Sequence, residues 1–462
     1  MPARLTEGSI GKALVALFLP ILLSNVLQAL NGSVNAMWVS HLLGEAALAA
    51  TANTNAVMST VVSVMMGIGT AAAILIGHRL GAKDIAQAKR IIGTSTTFFV
   101  GLAVLIAVIG VVLSEPILAL MQIPDDVRPL AGSYLRGMSL AMPFQVAYIF
   151  LTVLLRSSGD SKSPFRFQGI SVALDVAINP VLILGWGPIP ALGIAGSATA
   201  TLLAQGIGLA ALALHLYRTR HILCLHADET HLLRPDWRIL KTLVVTGTPM
   251  GLHMVVVSLA MVMMMSQVNH FGAQVSAAYG ACLHLWNYVQ LPMLAMGMAV
   301  TPMAAQNLGA RRLDRVERIA RVGITLNLAM AGSMVLVSQC FSRTALALLL
   351  PTHMETLQAA QHIHAMVAWS FVPFGVTFVL ASIIRASGTA IPPLVILFLA
   401  LWGIRQPAAM LLRNEWGANA LWASFGLGSV SAMLMLIAYY RWAGWRLAFM
   451  PVEAKAADRV TR

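Results

Sequence analysis

The chain has 462 residues, of which 58% are hydrophobic and only 10% charged, and its mean hydropathy is +0.79. That balance excludes an ordinary soluble domain and points to an integral membrane protein. A net charge of +13 would suit nucleic acid only if the cations shared one face; here they are scattered over seven short segments, so no nucleic-acid partner is expected.

A helix needs about 20 mainly apolar residues to cross the hydrocarbon core. Twelve such runs occur, at approximately 13–40, 47–77, 91–114, 130–155, 165–187, 191–217, 239–268, 274–305, 320–342, 362–384, 391–412 and 417–442. The sequence thus predicts an all-α membrane protein. The first run follows Arg4 and Lys12, as a signal peptide would, but it is long and carries Asn25, Gln28, Asn31 and Asn35, so it reads as a retained helix. If the N-terminus is inside, alternate loops and tails hold 25 Lys and Arg on the inner side and four (Arg128, Arg136, Arg343 and Arg413) on the outer side; Arg405 lies within a span. This excess predicts that both termini are cytoplasmic, and the same cations are expected to contact membrane lipid.

In the first span, Ser24, Gln28, Asn31 and Asn35 are spaced by four, three and four residues and so line one helical face, with Pro20 allowing a bend. A polar stripe in lipid must point into protein or a watery cavity. In the fifth span, "SVALDVAINPVLI" (171–183) sets Asp175 ten residues beyond Phe165, about 15 Å along a helix and near the midplane. All other acids fall in loops, span ends or tails. An intramembrane carboxylate is costly when ionised and is expected to exchange protons; the alternative is a structural hydrogen bond. Asn179 lies one turn on, and Pro180 frees the Val176 carbonyl, so a small polar pocket facing the stripe is expected.

The loop after the sixth span carries His215, His221, Cys224, His226 and His231, but the spacings fit no common zinc pattern, and no metal is expected. The three cysteines, Cys224, Cys282 and Cys340, imply no disulfide framework. In the seventh and eighth spans, ten methionines between Met250 and Met303 suit either a cavity for ligands of many shapes or ordinary packing. "HLWNYVQLP" (284–292) adds Trp286, Asn287 and Tyr288, either aromatic contacts for organic cations or interfacial anchors. Gln28, His253, Met254, Met261, Trp286, Asn287 and Tyr288 are therefore the candidate substrate-cavity residues.

"LGAKDIAQAKRI" (80–91) recurs as "LGARRLDRVERI" (308–319), and "LLRSSGDSKSP" (154–164) as "IIRASGTAIPP" (383–393), at offsets of 228 and 229. The chain is two homologous halves: a six-span bundle at 1–217, a cytoplasmic linker at 218–238, a second bundle at 239–445 and a cytoplasmic tail at 446–462. An even number of spans per half makes them parallel repeats, an arrangement of transporters that expose a site alternately to each side. No HExxH, GxSxG or Walker motif occurs, so neither an enzyme nor a nucleotide-driven pump is expected, and no cofactor is implied.

These halves, with "GEAALAA" (44–50), "LGAKD" (80–84), "RSSGD" (156–160), "NPVLILGWGPIPALGIAGSATAT" (179–201), "AQNLGARRLDRVERIA" (305–320) and "RASG" (385–388), resemble the multidrug and toxic compound extrusion (MATE) transporter family over about residues 8–445. The resemblance implies two pseudo-symmetric six-helix bundles forming a V. It also implies export of cationic or amphipathic drugs in exchange for protons or sodium, by a monomer in the bacterial inner membrane. Proton-coupled members usually carry aspartates at positions matching Asn35 and Asn179; here the carboxylate stands one turn earlier, at Asp175. Sodium-coupled members carry acids in the seventh and tenth spans, and neither 239–268 nor 362–384 contains one. Proton coupling through Asp175, Asn179, Asn35 and Asn31 is thus expected. The alternative is a lipid-linked oligosaccharide flippase, whose pyrophosphate would call for more than the single intramembrane Arg405.

Overall fold

The computed structural model describes residues 5–442 apart from 122, 126, 188, 189, 349 and 351–353, so the expected tail at 446–462 lies outside the described residues. Each apolar run forms a helix, since only a helix satisfies a single segment's backbone hydrogen bonds where water is absent. The twelve are α1 (Ile10–Leu43), α2 (Glu45–Gly81), α3 (Ile85–Val112), α4 (Arg128–Ser157), α5 (Lys162–Leu184), α6 (Ile194–Arg218), α7 (Trp237–Asn269), α8 (Ala273–Gly309), α9 (Leu313–Cys340), α10 (Met354–Ala386), α11 (Ile391–Leu411) and α12 (Asn419–Trp442).

The largest differences from the sequence expectation are at helix starts. α9 begins at Leu313 rather than near 320, and α10 at Met354 rather than near 362. Hydropathy marks the hydrocarbon, whereas backbone hydrogen bonding continues into polar turns. Within α11 the backbone widens to a π-helix over Leu399–Arg405, immediately before Gln406 and Pro407. Pro407 has no N–H to give the carbonyl one turn earlier, which favours such a widened turn.

By contact the chain divides into two units. One is Leu19–Gly251; the other joins the segment ending at Phe18 to the chain from Leu252. Each division falls close to a helix proline, Pro20 in α1 and Pro249 in α7. The internal repeat extends to backbone geometry: Gly44 and Gly272 have φ of 86° and 94°, Gly159 and Gly388 have 92° and 86°, and Lys83 and Arg311 have 60° and 57°. A left-handed Lys or Arg is disfavoured by its Cβ, so its recurrence shows that the same turn is built twice.

Within the first unit, Phe99 stacks on Phe150 with centroids 4.6 Å apart, and Tyr148, Leu155, Leu212 and Leu216 form a buried cluster. The chain between α6 and α7 is strapped to α3. Lys89 Nζ donates to both Glu229 carboxylate oxygens at 2.6 and 2.8 Å, and Arg90 lies 2.7 Å from Asp236. Within the second unit, Tyr279, Trp286, Trp422 and Phe425 pack into one aromatic core. The chain before α1 is held there, where Asn307 Nδ2 donates to the Leu5 carbonyl at 3.0 Å and Arg312 Nη1 to that of Thr6 at 2.7 Å.

Candidate functional site

Three helices of the first unit each bring a pair of polar residues spaced by four, which places each pair on one helical face. α1 supplies Asn31 and Asn35, α5 supplies Asp175 and Asn179, and α6 supplies Ser197 and Thr201. Asp175 is thirteen residues into α5, about 20 Å along it, and its exposure is 3%. Asn31 Nδ2 donates to Asp175 Oδ2 at 2.8 Å, and Thr201 Oγ1 donates to Oδ1 at 3.2 Å.

One turn along, Ser197 Oγ donates to Asn35 Oδ1 at 2.9 Å, while Asn179 Nδ2 lies 3.3 Å from that oxygen and 3.4 Å from Ser197 Oγ. Buried Tyr134 of α4 borders this layer, close to Asn35, Asn55 and Ser197. The amide oxygens of Asn31 and Asn179 are buried and accept no hydrogen bond. No Lys or Arg pairs with Asp175 among the described residues.

The arrangement can hold either protonation state. An ionised carboxylate accepts from Asn31 and Thr201. A carboxylic acid would instead donate, and a flip of the Asn31 amide, which already touches Asp175 Oδ2, would turn its unused oxygen toward that proton. With no cation to fix the charge, the proton is the natural neutralising partner.

Asn31, Asn35, Asp175 and Asn179, the four residues singled out from the sequence, are brought together here. Gln28 is not; it is exposed. Ser24 turns its hydroxyl back onto the Pro20 carbonyl at 2.8 Å. Ser197, Thr201 and Tyr134 were missed, although the spacing of Ser197 and Thr201 in "GSATAT" carries the same face signal as the first-span stripe.

The remaining substrate-cavity candidates belong to the second unit. Trp286 is 4% exposed, and its Nε1 donates to His364 Nδ1 at 3.1 Å. It is a core residue, neither an open aromatic face nor an interfacial anchor. Met254, Met261 and Tyr288 are exposed, Asn287 is exposed and accepts from Gln290, and His253 is half-buried. Of the methionines in this region, Met250, Met264, Met293, Met296 and Met303 are packed in the interior. The second unit also contains a polar group that hydropathy hid. Gln267 Nε2 donates to Gln406 Oε1 at 2.6 Å, Gln406 Nε2 donates to the Ala260 carbonyl at 3.1 Å, and the Arg405 guanidinium lies 3.5 Å over the Phe425 ring.

Among the described residues, no three His, Cys, Asp or Glu side chains converge as metal ligands. In the linker, His226 instead caps the short helix Ala227–Leu233, with its backbone N–H donating to Glu229.

The MatE family model matches residues 20–181 and 249–411. The two matches begin 249 − 20 = 229 residues apart, which is the offset of the internal repeat. A probable multidrug resistance protein of Bacillus subtilis, YoeA, is 36% identical over 94% of this chain and 94% of its own length. A second from the same organism, YpnP, is 30% identical over 96% and 97%. A crystal structure of a mutant of the Vibrio cholerae MATE transporter VcmN superposes with a TM-score of 0.86 at 22% identity, covering 95% of this chain and 98% of that one.

Proposed function

We propose that this chain, which belongs to the MatE family of multi-pass membrane transporters, exports cationic or amphipathic organic compounds in exchange for protons, with Asp175 as the proton carrier. The names of its relatives support multidrug efflux as the activity. The observation that carries proton coupling is the environment of Asp175: buried, without an ion pair, and provided with donors for the ionised form and an unused acceptor for the protonated form.

In this reading a proton enters from outside, neutralises Asp175 and changes its bonds to Asn31, Thr201 and Asn179. Drug is then released. Proton and drug must each bind the two access states with different affinity, because a ligand bound equally by both shifts nothing. The loop charges support cytoplasmic termini in a bacterial inner membrane.

The test uses purified protein in liposomes with an imposed pH gradient and a panel of labelled organic cations. Asp175→Asn preserves size while removing the titrating group. The variant is expected to insert normally, bind drug with a flattened pH dependence, and lose gradient-driven export. Export at the wild-type rate and pH profile would reduce Asp175 to a packing residue.

A further inference from the structure

A second site lies in the first unit, apart from every residue of the Asp175 pocket. A half-open cavity of about 610 Å³ is bordered by α3, α4, α6 and the loop that follows α6, within the roughly 300–1,000 Å³ range of small-ligand pockets. Its interior is apolar, with Phe99, Phe150, Leu155 and Leu216 all buried, and its mouth is formed by Val100, Tyr217 and Leu233, which are 50%, 58% and 38% exposed. The roof is fixed. Besides the Lys89–Glu229 and Arg90–Asp236 pairs, Thr97 Oγ1 donates to the Leu233 carbonyl at 2.6 Å.

One polar group in this wall is unanswered. The Leu223 N–H donates to His221 Nδ1 at 3.3 Å, so the imidazole proton sits on Nε2. That Nε2 is buried and has no partner. Desolvation lowers the His221 pKa, which keeps the ring neutral and leaves it one N–H to give. An apolar chamber with a buried, unpartnered donor in its wall fits a ligand with a long apolar tail and a hydrogen-bond acceptor at its head.

The mouth also indicates the charge of that head. Arg218, in the last turn of α6, and Arg220 lie in sequence between the cavity-lining Tyr217 and His221; both are exposed, and neither is in an ion pair among the described residues. They stand where the candidate span Ile194–Arg218 ends, with an amphipathic tyrosine beside them, as residues of the membrane–water interface do.

We infer that this cavity binds an anionic phospholipid, whose acyl chain lies among Phe150, Leu155 and Leu216 while its phosphodiester accepts from His221 Nε2–H between Arg218 and Arg220. The occupant rests against the strapped loop, so lipid composition would act on the segment that leads into α7.

The experiment uses the full-length protein in detergent with phosphatidylglycerol carrying a photoreactive diazirine in its acyl chain. Crosslinked peptides are mapped by mass spectrometry. Labelling is expected at 147–155 and 209–225, stronger than at the exposed lipid-facing residues Leu336 and Val337 of α9. Unlabelled phosphatidylglycerol should displace it about tenfold more effectively than phosphatidylcholine, whose phosphodiester can make the same hydrogen bond but whose choline cation cancels the net negative charge that Arg218 and Arg220 would attract, and inorganic phosphate should not displace it.

His221→Phe keeps the ring and removes the donor; Ala213→Phe fills the chamber and leaves His221 in place. Each should lower labelling of the cavity peptides without changing that of α9. Equal displacement by the two lipids, equal labelling at α9, or unchanged labelling in both variants would overturn the assignment. Displacement by a transported cation but not by phosphatidylglycerol would overturn it in favour of a drug site.

Discussion

Asp175 accepts from two uncharged donors on two different helices, and one turn away Asn179 contacts the same two helices with the direction reversed, its Nδ2 donating to Asn35 and Ser197. The two layers use the same three helices and the same spacing, so coupling can be a property of the pocket rather than of one position. The double variant Asp175→Asn, Asn179→Asp tests this. A carboxylate at 179 would accept from Ser197 and, after an amide flip, from Asn35, and the swap is expected to restore export to within about tenfold of wild type. Asp175→Asn alone should lie at least about a hundredfold below it, the usual scale for removing a proton-transfer group. An inactive swap, correctly inserted, would tie coupling to the Asn31 and Thr201 contacts. The carboxylate and the asparagines were legible because such side chains are conspicuous in an apolar run. Ser197 and Thr201 were not, since hydroxyls in membrane helices commonly satisfy themselves on their own backbone, as Thr199 does on the Ala195 carbonyl and Ser33 on that of Ala29. Only the fold separates a hydroxyl that reaches another helix from one that turns back.

The twelve helices were legible from hydropathy at the scale of whole elements, and their approach distances were not. α6 comes so close to the end of α5 that a Cβ on Gly196 would meet the Leu182 carbonyl oxygen, and its carbon at 2.6 Å. These are backbone atoms and cannot rotate away. Gly196→Ala is therefore expected to push α6 outward, costing about 1–3 kcal/mol as other overpacked sites do, and to loosen the Thr201–Asp175 contact. A fall of several degrees in the melting temperature in detergent, together with weaker export, would confirm it; an unchanged melting temperature would refute the close approach. The strapped loop gives a pH prediction. The Lys89 side chain, and then the His226 backbone N–H, hold the Glu229 pKa below the usual glutamate value. A depressed pKa means that the pair's stabilisation is complete at neutral pH and disappears as pH falls below the ordinary glutamate range and through the folded value. Both side chains are about one-fifth exposed, so the effect is small, about 0.5–1 kcal/mol. Amides 227–233 should exchange faster in Lys89→Met than in wild type at pH 7, and the ratio should approach one in acid. A ratio independent of pH would mean that the ion pair does not hold the loop.

Across the whole molecule, the two halves repeat their turns but not their chemistry. Shifting the six site residues by the 229-residue offset turns Asn31, Asn35, Asp175, Asn179, Ser197 and Thr201 into Ala260, Met264, Ile404, Ala408, Gly426 and Val430. Every polar group is lost. The second unit has instead the Gln267–Gln406 amide pair and a buried Arg405 over Phe425. Its acids among the described residues are Glu7, ahead of α1 and exposed, Asp314, Glu355 and Glu415, each in the first turn of a helix, and Glu317, one residue beyond the first turn of α9. α7 contains none, and Glu355 enters α10 only because that helix begins earlier than hydropathy suggested; it is exposed. A sodium ion needs several oxygen ligands and a compensating negative charge. Among the described residues the interior of the second unit offers no carboxylate, and the Arg405 guanidinium would repel a cation. Replacing sodium with potassium at a constant pH gradient is therefore expected to leave export unchanged. If export instead requires sodium, Asp175→Asn locates the ion. Loss of the sodium dependence in that variant would place sodium in the Asp175 pocket, where the unused amide oxygens of Asn31 and Asn179 are the available ligands. A dependence that survives would place it outside the Asp175 pocket and overturn the assignment of ion coupling to this site.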